Sequence, residues 1–248
     1  MQRDFSDAVS RLGNLIEETE SASLSALVSD YMTFGAAAGF KIKLLPNKMP
    51  VLIRKGSQRV VSIFSGFHGD ERAGPIFLRR VLRSWASGLR PIPAATLVIA
   101  PLINDEGWKE HDRYWNDKDL NRAFRDTNPD YAVKLISPLM AIMRAYRPFL
   151  HWDLHEDSRS DDPFVYDYAH EPHDMTKRLA DYVGSPVRKW SSFKNRGSEI
   201  YARELGTPYA VTTETTPNWP LHRRMAWLSK AYDFLMRFAE SPESDRLR

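Results

Sequence analysis

Short strand-like apolar runs alternate with stretches of helical spacing along this chain, and a polar cluster follows most of the later runs. The runs fall at 41–45 and 51–53 around a Pro46-Asn47 turn, then at 60–64, 95–101, 149–154 and 209–213. Helical spacing marks 4–34 (Phe5, Val9, Leu12, then Leu24, Leu27, Val28), 76–87, 130–146, 173–183, 198–205 and 221–239. Pro138 is a candidate kink in one of these, and 164–168 a candidate further strand. Strands that alternate with helices, with breaks after each strand, predict an α/β fold. The expected architecture is a mixed, mostly parallel central sheet flanked by helices. A length of 248 residues with 42% hydrophobic content suits a single domain over 1–248, with 1–38 as an N-terminal helical appendage.

Composition narrows the chemistry. The formal net charge is only +3, and no Lys/Arg cluster stands apart from acids, so no nucleic-acid partner is expected. The chain has no cysteine. Disulfides and thiolate ligands are therefore excluded, and any zinc site must be built from His and Asp/Glu. The first seven residues are polar and lack the apolar core of a signal peptide, and Asp30 interrupts the mildly apolar region 22–40. These features predict a soluble, cytoplasmic protein without a membrane partner; the sequence leaves its oligomeric state open.

Four polar clusters share one position, at or just after the ends of expected strands: His68 with Glu71, the long polar stretch 104–128, Asp153 with His155, and Glu214. In an open α/β sheet those ends converge on one crevice. His68 and Glu71 sit on a Gly-flanked strand-to-helix turn, where an imidazole and a carboxylate three positions apart can meet one metal ion. Taken alone, His-x-x-Glu also describes an ordinary surface pair. His155 can add a third ligand, leaving a fourth position to water, as in catalytic zinc sites. Asp153, two residues earlier on the same strand face, can either orient a ligand or cap a loop. His151 shares that face and is expected to be structural or solvated. Glu214 is a costly carboxylate on a buried-looking strand, which suits a general base, although a salt-bridged strand end would look the same. Arg122 beside Asn121 offers a fork and an amide to one carboxylate, and Arg113 can donate to a developing oxyanion.

Gly66-Phe67-His68-Gly69-Asp70-Glu71, Asn104-Asp105-Glu106-Gly107-Trp108, Asp119-Leu120-Asn121-Arg122-Ala123-Phe124, Asp153-Leu154-His155 and Thr212-Thr213-Glu214-Thr215 occur in this order. Over about 60–216 the chain resembles the zinc metallocarboxypeptidases of the carboxypeptidase A type, including their succinylglutamate desuccinylase/aspartoacylase branch. The resemblance implies one zinc ion held by His68, Glu71 and His155. It implies Glu214 and Arg113 as catalytic groups, with Asn121 and Arg122 clamping a substrate carboxylate. Glu199, in a segment that resembles the wall of the specificity pocket, would then favour C-terminal Lys or Arg; it would equally suit the first turn of a helix.

Two features depart from the family pattern. The region that usually carries a substrate-contacting Tyr contains Ser191-Ser192-Phe193, leaving Tyr168 or Tyr201 as substitutes, and the chain is short. The leading expectation is a zinc metallocarboxypeptidase acting on peptide C-termini. The alternative is a deacylase of N-acyl amino acids, which the missing Tyr and the short chain favour. A non-catalytic, metal-binding relative that recognises peptide C-termini would not need Glu214.

Overall fold

The Pro46-Asn47 turn closes a hairpin between β1 (Lys41–Leu44) and β2 (Pro50–Arg54), which pair antiparallel with Lys41 opposite Ile53. The computed structural model describes residues 21–124, 131–167, 173–189 and 197–241. Within them lie β3 (Val60–Ser65), β4 (Thr96–Ala100), β5 (Leu150–Glu156), β6 (Phe164–Asp167), β7 (Val187–Lys189) and β8 (Tyr209–Thr215). All strands join one sheet in the order β1-β2-β4-β3-β5-β8-β6-β7. The central β4-β3-β5-β8 pairs are parallel, whereas β2 on β4 and β6 on β8 are antiparallel. This is the mixed, mostly parallel sheet expected from the alternation. Every residue of β3, β4 and β5 is buried, as strands covered on both faces must be.

Two helical layers provide that cover. On one side, α1 (Leu24–Ala37) lies on α2 (Ala73–Ala86), and the long final helix, α7 (Leu221–Glu240), packs beside α2 and α5 (Asp174–Val183). The α1 residues Leu27 and Tyr31 are fully buried, and the Tyr31 hydroxyl donates to the Pro75 carbonyl. The other side carries α6 (Ser198–Glu204), which packs on β5 and β8. Alternation along β5 explains the division: Trp152 meets Phe77 of α2, while His151 and Asp153 hydrogen-bond Ser198 of α6.

The structure adds detail that periodicity could not supply. The stretch 104–128 contains α3 (Asp105–Glu110), capped by the Asn104 side chain accepting from Gly107 N, and a 3-10 turn (Leu120–Arg122) capped by Asp119. Elements of six and three residues are too short to show a period. The helix α4 (Tyr131–Tyr146) runs through Pro138 without a break, and α1 continues past Gly35. β7 is a further strand that the apolar pattern did not reveal. The expected helical spacing at 4–20, the Ser191-Ser192-Phe193 segment, Tyr168 and the tail after Ser241 lie outside the described residues. Among the described residues no helix is long and apolar enough to cross a membrane.

Candidate metal centre

The ends of β3, β5 and β8 meet in one polar cleft, lined by His68, Glu71, His155 and Glu214 together with Arg113, Asp119, Asn121 and Arg122. The turn after β3 is shaped by two glycines for different reasons. Gly66 has φ +66, a backbone region that side chains disfavour. At Gly69 the reason is close packing, since an added Cβ would fall 1.9 Å from the Gly107 carbonyl carbon. The turn therefore lies against α3 and holds His68 and Glu71 in the cleft.

His68 Nδ1 is 2.6 Å from Glu71 Oε1, and His155 Nδ1 is 2.8 Å from Glu71 Oε2. All three side chains are buried, and one donor atom from each lies within 4.8 Å of the others. The outer nitrogens are also occupied. His68 Nε2 faces Asp119 Oδ1 at 3.1 Å, and His155 Nε2 faces Asp153 Oδ2 at 3.2 Å. A carboxylate on each Nε2 favours a proton there and turns the Nδ1 lone pair inward, the arrangement typical of metal-bound imidazoles. Two nitrogens and one carboxylate converging from a rigid sheet end form a donor set that fits zinc. Burial alone would raise the Glu71 carboxyl, but His68 and His155 pull it well below the usual carboxylate range. Burial likewise opposes charging of His155, yet Asp153 and Glu71 raise it well above its ordinary value. The centre thus stabilises positive charge, and a divalent cation would take the place of those protons.

Glu214 lies directly opposite His155 in the β5–β8 register, and its Oε2 has no hydrogen-bond partner. Burial first, then Glu71, Asp157 and Asp153, push its carboxyl well above the ordinary value against the pull of His155. Arg113 donates to Glu71 Oε1 at 3.2 Å, and Arg122 to Asp119 Oδ2 at 2.9 Å. Asn121 Oδ1 accepts from Ser198 N, which fixes the amide, and Asn121 Nδ2 lies 3.2 Å from His155 Nε2. His151 is fully buried between Ser62 Oγ and Ser198 Oγ, and burial pushes its pKa down to about 4, so its role is structural rather than solvated.

Glu199 is not brought into the cleft. It is buried, its Oε1 accepts from Arg203 Nε at 2.8 Å, and its Oε2 accepts from Thr212 Oγ1. Both of its oxygens already have partners within the protein. Tyr201 is also set aside, with its hydroxyl accepting from Arg144 and its ring against Phe124. Among the described residues, the aromatic hydroxyl residue that lines the cleft is Tyr166 on β6. The antiparallel register sets Phe164 against Glu214 and Tyr166 against Thr212, so Tyr166 shares the face of Glu214. That pairing was the missing signal; the apolar pattern around 164–168 did not reveal it.

Residues 57–231 match the family model described as the succinylglutamate desuccinylase/aspartoacylase catalytic domain. No protein of curated function matches the chain in sequence. Among solved structures, the chain is similar to a candidate metallopeptidase from Shewanella baltica, with 19% identity, TM-score 0.74, and coverage of 87% of this chain and 92% of that one. A metallo-carboxypeptidase from Burkholderia cenocepacia is 13% identical with TM-score 0.70, covering 88% and 70%. A succinylglutamate desuccinylase from Chromobacterium violaceum is 17% identical with TM-score 0.61, covering 86% and 77%. At these identities the likeness establishes a zinc carboxypeptidase-like fold.

Proposed function

The chain belongs to the succinylglutamate desuccinylase/aspartoacylase catalytic-domain family and is a hydrolase, and from that premise we propose that it is a zinc-dependent metallocarboxypeptidase. His68, Glu71 and His155 would hold the ion. When bound there, zinc polarises a carbonyl and lowers the pKa of a water. Glu214 would take the proton from the attacking water and return it to the leaving amine, and its Oε2, which has no hydrogen-bond partner, can receive that proton. Arg113 stands 3.2 Å from Glu71 and donates to the oxygen that gains charge as the carbonyl is attacked. Asn121 and Arg122 hold the terminal carboxylate of the substrate.

The observation that carries this reading is the unpartnered Glu214 oxygen in the cleft, on the strand register neighbour of His155. Glu199 does not line the cleft, and its oxygens are taken by Arg203 and Thr212, so no Lys/Arg preference is proposed from it. A deacylase of N-acyl amino acids is the second reading, favoured by the family match itself. Amino-acid release by zinc-loaded protein decides between them, using peptides ending in Lys, Arg, Phe or Glu beside N-succinyl and N-acetyl amino acids. Release from peptides supports the peptidase. Release from N-acyl amino acids alone moves the assignment to the deacylase, and no release from either class rejects both.

A further inference from the structure

Glu156 follows His155 on β5, so its side chain leaves the opposite face of the sheet from the candidate ligand. It is a buried acid with three donors on two oxygens. Its Oε2 accepts from Ala73 N at 2.8 Å, and its Oε1 accepts from Thr215 Oγ1 at 2.9 Å and from an Arg224 guanidinium nitrogen at 2.8 Å. Two of these partners neighbour the site. Ala73 lies two residues after Glu71, and Thr215 directly follows Glu214. The contact with Ala73 also replaces a missing cap. The residue before α2, Arg72, makes no side-chain capping bond, and the first turn of α2 holds no acid.

We propose that Glu156 is a positioning residue that sets the spacing among Glu71, His155 and Glu214 by tying the start of α2 and the end of β8 to the end of β5. The inference rests on the metal site proposed above. Chemistry explains the residue type. A carboxylate only accepts, so both oxygens serve the three donors, whereas a glutamine amide of the same shape would set an N–H against an N–H in either orientation. Aspartate is one methylene shorter and cannot span from Ala73 to Thr215.

The competing role is a buried ion pair with Arg224 that stabilises the fold alone. The test compares the full chain with Glu156→Gln, Glu156→Asp and Arg224→Lys. Zinc affinity is read by competition with a chromophoric chelator, the visible spectrum is recorded after cobalt substitution, and thermal midpoints are measured alongside. Positioning predicts that Glu156→Gln binds zinc roughly 10- to 100-fold more weakly, the usual effect of losing an outer support, with a shifted cobalt spectrum. Glu156→Asp retains the charge for Arg224 and folds, yet shows the same weakening. Arg224→Lys lowers the midpoint while zinc affinity stays at the parental value. Parental zinc affinity and cobalt spectrum in both Glu156 variants overturn the inference, as does an equal loss in Arg224→Lys. A parent protein that binds no zinc removes the proposed metal site as well, which separates the two failures.

Discussion

His155 and Glu214 are register partners on adjacent parallel strands, so the candidate ligand and the candidate base are held side by side by backbone pairing. Neither depends on a loop for its position. Glu214→Gln keeps the shape and removes the proton acceptor. Turnover should fall by roughly 10²–10⁴-fold, the usual scale for a general base. Zinc content, measured by atomic absorption on the purified variant, should stay at the parental stoichiometry. Full activity would remove Glu214 from the mechanism.

Arg113 and Arg122 should separate kinetically. Arg113 touches Glu71 at the metal side, whereas Arg122 is held by Asp119 further out. Losing an oxyanion donor costs about 10²–10³ in kcat, and that is the expected result for Arg113→Ala. Losing a charged hydrogen bond to a bound carboxylate costs about 1.5–3 kcal/mol, or roughly 10- to 100-fold, and for Arg122→Ala it should appear in KM. Equal kcat and KM effects in both variants would reject the division of labour.

Metal removal offers a check that needs no substrate. A ligand that binds only the folded state stabilises it in proportion to the logarithm of its concentration over Kd. Zinc added after chelation should therefore raise the thermal midpoint, and any activity should return with it. His68→Ala should abolish that rise. A midpoint insensitive to zinc in the parent protein would exclude the His68–Glu71–His155 site.

The sheet and the order of the site were legible because both are written in local pattern. Buried strands such as β4 produce near-continuous apolar runs, and the ends of the central strands carry the polar residues that converge. Tyr166 was hidden because its face depends on pairing with β8, whose partner Thr212 lies far along the chain. The loop helix α3 was too short for a period to appear. The fate of Glu199 was closer to the surface of the sequence: Arg203 lies four residues on in the same helix, a spacing that pairs opposite charges.

That pairing has a pH signature. Glu199 is buried, and burial outweighs the nearby Arg203, which also bonds Asp167, so its pKa is pushed up to about 8. A carboxyl whose folded pKa lies above its unfolded value binds an extra proton in the folded state. Its stabilising contribution is complete below the ordinary value of 4.5 and disappears as the pH rises through about 8. The parent should therefore lose stability across this window. Glu199→Gln, neutral throughout, should lose less, so that the variant gains on the parent by about 3 °C or more in thermal midpoint between pH 5 and pH 8.5, with the scale set by roughly 2–4 °C per kcal/mol at this chain length. Two parallel midpoint curves would show that Glu199 is ionised throughout, with Arg203 rather than burial deciding its state.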